Sequence, residues 1–135
     1  MYVVDTNILI AVASGEDRGA LFADIVEGDN RIIGSEMTLA EAPHIIRKYV
    51  KEGYIDERAG HEWLRKIQTS VDEFYPIAPD AMEVLHESLR LNHSAYDMFN
   101  FVLARRYRAC IVSFDKTLIK LCVQEGLDVC TEVNF

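Results

Sequence analysis

Twice along the chain an apolar run ends in an aspartate that opens a helical pattern: Val3-Val4-Asp5-Thr6, and Ile111-Val112-Ser113-Phe114-Asp115-Lys116. No other feature restricts the fold as strongly. A short β-branched run reads as a buried strand, and helical spacing that begins at once reads as a crossover toward a parallel neighbour. Both aspartates then fall at the carboxyl ends of strands, the sheet edge along which open α/β folds bind ligands. One such Asp alone is ordinarily a helix cap. Its repetition gives a chemical role weight.

The rest of the chain follows the same grammar. Ile8 to Ala13 continues as the first helix, which Gly15-Glu16-Asp17 breaks. Ala20 to Val26 is expected as a second helix ending near Gly28, and Arg31 to Gly34 as a second strand. Helical spacing recurs to Val50; Pro43 has no N–H to donate, so this helix is expected to start close before it, at Thr38, with Glu41 in the first turn. Residues 56–71 form a further helix with Trp63, Leu64 and Ile67 on its inner side, and Glu73 to Pro76 a third strand. Pro79 starts a helix whose core stripe is Met82, Leu85 and Leu89, ending near Asn92. Ser94 to Tyr107 is a strongly apolar helix, Cys110 to Phe114 a fourth strand, Lys116 to Glu125 the last helix, and Leu127 to Thr131 a fifth strand. Alternating strands and helices imply an α/β fold with a mainly parallel sheet covered on both faces. With 135 residues and no repeat or linker, one domain over 1–135 is expected.

Charge narrows the function. The formal net charge is −8, from 22 acids against 14 Lys plus Arg, which argues against nucleic-acid binding by a broad basic face. Nucleic-acid binding would have to be local, metal-assisted or shared with a partner. The longest apolar stretches fall well short of the roughly 20 residues a membrane span needs, and no signal-peptide pattern opens the chain. Three cysteines, Cys110, Cys122 and Cys130, lack zinc-type spacing, and an odd number argues against a disulfide framework. They are expected as apolar fillers in a reducing, cytoplasmic setting.

Glu41 and Asp97 are expected in the first turns of helices that leave the same sheet edge as Asp5 and Asp115, so all four acids can converge. Each has a simpler reading: Thr38-x-x-Glu41 fits a capping box, Ser94-x-x-Asp97 is its Asp variant, and Asp115 suits a turn. Together, clustered carboxylates repel, and without a cation at least one has a raised pKa. Oxygen-only ligands select hard ions, so Mg2+ or Mn2+ is expected rather than zinc. Such ions orient water for in-line attack on a phosphodiester and stabilise the entering and leaving oxygens, which makes metal-assisted phosphodiester hydrolysis the leading chemistry.

The four histidines, His44, His61, His86 and His93, are scattered without ligand-type spacing and are set aside. Arg105, Arg106 and Arg108 suit either RNA phosphates or a helix C-terminus, with the latter preferred. Lys116 adjoins Asp115 and suits either substrate phosphate or a neighbouring acid.

Val3-Val4-Asp5-Thr6-Asn7-Ile8-Leu9, the Glu41 context, the Asp97 helix running to Leu103-Ala104-Arg105, and Ser113-Phe114-Asp115 together resemble the PIN-domain family. That resemblance covers essentially the whole chain. It implies a three-layer α/β/α sandwich with a central parallel sheet and Mg2+ or Mn2+ dependent ribonuclease activity. It makes Asp5, Glu41, Asp97 and Asp115 metal ligands or water-positioning acids, with Asn7 and Ser113 supporting them by hydrogen bonding. Many compact members are VapC-like toxins that cut RNA and are neutralised by a protein antitoxin, so the resemblance also implies that partner and a homodimer. A nuclease-fold module that binds RNA or protein without turnover is the alternative. A receiver-type phosphotransfer domain also has acids at strand ends, but it lacks helix-borne acids like Glu41 and Asp97.

Overall fold

The structure is a computed structural model and describes residues 1–130. Its strands are β1 (Tyr2–Val4), β2 (Ile32–Ser35), β3 (Glu73–Tyr75), β4 (Cys110–Val112) and β5 (Val129–Cys130). They form one sheet in the order β3-β2-β1-β4-β5, parallel at every pairing. Eight α-helices are described: α1 (Thr6–Ser14), α2 (Asp17–Ala20), α3 (Ala23–Glu27), α4 (Met37–Lys51), α5 (Glu57–Ser70), α6 (Ala81–Leu91), α7 (Ala95–Tyr107) and α8 (Lys116–Gln124).

Side-chain alternation along the strands separates two cores. Val4, Ile32 and Val112 face α1, α3, α4 and α5, while Val3, Ile33 and Ile111 face α6, α7 and α8. Helices therefore cover both faces, giving the three-layer α/β/α architecture. From β1 the chain steps outward through β2 to β3, then returns to the other side of β1 with β4. The direction of winding reverses between β1 and β4. A crevice opens there at the carboxyl ends of the strands, because the connections leave to opposite sides.

Local differences from the sequence reading have identifiable causes. The helix expected over Ala20 to Val26 is two short helices, α2 and α3, bent at Leu21 and Phe22. Gly19 lies so close to α1 that a Cβ there would sit 2.3 Å from the Ala11 carbonyl oxygen. The chain then turns sharply, and Phe22 inserts fully into the core, edge-on to Phe114 with ring centroids 5.5 Å apart. Helix α4 starts at Met37 rather than Thr38, places Glu41 in its second turn rather than its first, and carries Pro43 inside it.

The stripe expected to face the core from α6 does not. Met82, Leu85 and Leu89 are exposed at 81%, 53% and 74%, whereas Val84 and Glu87 are buried. The cause is ionic: Glu87 receives Arg90 at 2.5 Å and Arg105 at 3.2 Å, and buried Asp80, just ahead of α6, receives Arg106 at 2.6 Å. Arginines on α7 thus set the rotation of α6, which hydropathy alone does not register. Arg105 and Arg106 are engaged in these pairs rather than projecting toward a ligand. The fifth strand is described as Val129–Cys130; Thr131, expected in it, lies outside the described residues.

Candidate functional site

Asp5 stands at the crevice because the β1–β4 ladder extends one step beyond the strand: its N–H donates to the Val112 carbonyl at 2.9 Å. That step brings Ser113 alongside, and the Ser113 hydroxyl donates to Asp5 Oδ2 at 2.9 Å. The same Ser113 oxygen accepts the Asp115 N–H at 3.0 Å. One fully buried serine therefore holds both strand-end acids in relation to each other. Asp5 Oδ1 accepts the Thr6 N–H at 2.9 Å, and Asp115 Oδ1 accepts those of Thr117 and Leu118 at 2.9 and 3.2 Å. Both aspartates cap their helices, and each carboxylate retains acceptor capacity beyond the bonds it receives.

Glu41 and Asp97 arrive from opposite layers. The Thr6 hydroxyl donates to Glu41 Oε1 at 3.1 Å, with the Thr38 hydroxyl 3.4 Å from the Thr6 oxygen. Neither expected capping box forms. Thr38 is buried beside Thr6, and Ser94 precedes α7 without a side-chain cap bond. Met98 and Phe101, both fully buried, seat α7 on the sheet and so fix Asp97 at the crevice. Asp97 Oδ2 lies 2.7 Å from His93 Nε2.

The electrostatics join the four acids. Burial first, then the charges of Asp97 and Asp115, raise Asp5 above its ordinary value against the lowering bonds from Ser113 and Thr6. Burial, then Asp5 and Asp97, likewise raise Glu41 against the bond from Thr6. Burial together with Asp115 and Asp97 pushes the Cys122 thiol up to about 12, so Cys122 stays a neutral filler beneath the site. Burial and neighbouring charge thus disfavour the ionised forms of Asp5 and Glu41, a penalty that a bound cation would offset. His93, Asp97 and Asp115 each offer a ligand atom, all within 4.8 Å of one another, a spacing one small divalent ion can span. The donor set fits such an ion.

Asn7 is exposed and lines a cleft of about 210 Å³ with Arg18, Tyr49 and Phe114. The hydroxyl that reaches an acid from this segment is that of Thr6. Lys116 is exposed next to Asp115. Thr6 and His93 were missed by the sequence reading. The short His93-x-x-x-Asp97 spacing was the available signal, although His93 precedes α7 and reaches Asp97 from the turn after α6.

Fold and site together define an α/β domain with a carboxylate cluster at its topological switch point, suited to binding a divalent cation. The chain belongs to the PIN-domain family, whose profile matches residues 2–124. PAE2754 from Pyrobaculum aerophilum is structurally similar, with a TM-score of 0.72 and 23% identity over 95% of this chain and 82% of that one. VapBC2 from Rickettsia felis, solved bound to a promoter DNA fragment, gives 0.67 and 17% identity over 96% and 97%. DNA-bound VapBC from Salmonella typhimurium gives 0.61 and 12% identity over 96% and 96%. No curated protein sequence matches the chain significantly. No helix among the described residues is long and apolar enough to cross a membrane.

Proposed function

We propose that the chain, as one nuclease domain over residues 1–135, is a metal-dependent endoribonuclease that hydrolyses RNA phosphodiesters. The observation that carries this reading is the convergence of Asp5, Glu41, Asp97 and Asp115 from four elements onto one crevice, with raised pKa values at Asp5 and Glu41. Mg2+ or Mn2+ is the expected ion, and when bound it supplies charge stabilisation and an activated water at a phosphodiester. Asp97 and Asp115 would hold it, with the Asp5 carboxylate contributing charge from the end of β1. Glu41, steadied by Thr6, orients the attacking water as general base. Ser113 keeps Asp5 and Asp115 in fixed relation, and Asn7 borders the cleft through which a strand would enter. Lys116 stands beside the site as a phosphate contact that offsets the acidic surface.

The biological setting is a cytoplasmic toxin of a toxin–antitoxin pair, by analogy with the VapBC neighbours. An antitoxin segment has a place to bind: an apolar groove of about 270 Å³ between α4 and α5, lined by Pro43, Ile46, Val50, Gly60 and Leu64. The exposed Met82, Leu85 and Leu89 supply a surface for a homodimer. Light scattering at working concentration tests the dimer, and a monomer removes it.

The deciding experiment is cleavage of mixed single-stranded and structured RNAs with Mn2+, with EDTA, and with Asp5→Asn. Metal-dependent cutting that Asp5→Asn loses supports the assignment. No cutting together with no Mn2+ binding by calorimetry replaces it with a binding module that does not turn over.

A further inference from the structure

We propose that His93 supplies a nitrogen ligand to the ion held by Asp97 and Asp115, and that this ligand biases the site toward Mn2+ over Mg2+. The inference rests on the metal-dependent reading above and goes beyond it by assigning a nitrogen donor and a metal preference.

The geometry is that of a ligand position. His93 Nε2 and Asp97 Oδ2 are 2.7 Å apart, close to the roughly 3 Å between adjacent ligands of an octahedral ion with about 2.1 Å bonds. A ligand atom of Asp115 lies within 4.8 Å of both residues' ligand atoms, a separation that one ion can bridge.

His93 is also held in place. Asn92, in a left-handed conformation at φ 49°, ends α6 and turns the chain toward the crevice. The His93 N–H then donates to the Ser88 carbonyl at 3.2 Å, and its carbonyl accepts the Ser88 hydroxyl at 2.6 Å. With both backbone groups anchored and the side chain only 11% exposed, the ring has little freedom to leave. In the metal-free protein the ring hydrogen-bonds Asp97. Ligation through Nε2 would require the proton it shares with Asp97 to leave for solvent, with the ring's remaining proton on Nδ1.

Chemistry sets the preference. Mg2+ favours oxygen ligands and retains its waters, whereas an imidazole nitrogen adds affinity for first-row transition ions. An all-carboxylate site discriminates weakly between Mg2+ and Mn2+; one imidazole in place of a water shifts the ratio toward Mn2+.

The test uses Mn2+ as the probe on the full chain. Pulsed electron paramagnetic resonance of Mn2+ on wild-type protein should show coupling to a directly bound 14N, which changes with 15N-histidine labelling and disappears in His93→Gln. Calorimetry should show the Mn2+ to Mg2+ affinity ratio falling about tenfold in His93→Gln, whose fold is checked by circular dichroism. Mn2+ bound without nitrogen coupling, or an unchanged ratio in a folded His93→Gln, overturns the His93 assignment and leaves the carboxylate nuclease standing. No Mn2+ bound by the wild type overturns both. Because the resonance is read on the unmutated protein, a variant that fails to fold does not decide the question.

Discussion

Replacing Asp5 by Asn should stabilise the metal-free protein while weakening its response to metal. Asp5 is partly buried among Asp97 and Asp115, and burial with those charges raises its pKa. A carboxyl whose folded pKa is raised binds its proton more tightly in the native state, so stability falls as pH rises from the ordinary value of 3.8 through the raised one. The penalty is fully present above the folded pKa. Asn keeps the oxygen that accepts the Thr6 N–H, and it is as good a cap as Asp. What it removes is the buried charge, at the cost of the oxygen that accepts the Ser113 hydroxyl. The net gain at pH 7 is the charge penalty relieved less the Ser113 hydrogen bond disturbed, and it reads directly as a rise in Tm. For a chain of this size that is about 3–5 °C in Tm per kcal/mol. The assay is thermal melting of wild type and Asp5→Asn in EDTA at pH 7 and near pH 4, then with Mn2+. The variant should melt higher in EDTA at pH 7, with the gap narrowing near pH 4. Mn2+ should raise the wild type more than the variant, which keeps Asp97 and Asp115 but lacks the Asp5 charge, since a ligand that binds only the native state stabilises by mass action. A variant that melts lower in EDTA at pH 7, with no narrowing at low pH, refutes the reasoning and makes Asp5 a structural cap.

Other expectations concern the scaffold. Gly19→Ala should cost at least about 2 kcal/mol in urea denaturation, because its Cβ would meet the Ala11 carbonyl oxygen at 2.3 Å and backbone must move. Val84→Ala should cost roughly 1–3 kcal/mol and Leu85→Ala within about 0.5, by the same assay; equal costs would mean that α6 is rotated otherwise. Glu87→Gln should destabilise at pH 7, because bonds from Arg90 and the charge of Arg105 hold the Glu87 carboxyl below its ordinary value. That contribution is present above the unfolded pKa and lost as pH falls through the folded one, so the wild-type advantage should shrink in acid melts.

The sequence by itself determined the alternation of strands and helices, and with it the parallel sheet and the side of the sheet on which Asp5 and Asp115 stand. These follow from local rules: side-chain periodicity and helix capping act over a few residues, so a linear reading captures them. It also selected Glu41 and Asp97, by their place in helices that leave the same sheet edge, against a capping-box reading that the structure does not bear out.

The tertiary structure alone decided the rest. The order β3-β2-β1-β4-β5 places β1 beside β4, and only that pairing lets Ser113 bond Asp5 across 108 positions of sequence. Thr6 became the partner of Glu41 because α1 and α4 meet, and His93 joined Asp97 because a left-handed Asn92 turned the chain toward the crevice. Helix α6 faces the core with Val84 and Glu87 because arginines on α7 reach it, and no periodicity within α6 contains that information. The physical reason is common to all four. A hydrogen bond or ion pair is specified by two groups; when they are distant in sequence, or, like His93 and Asp97, joined through a turn outside the helix, only the fold sets the distance between them.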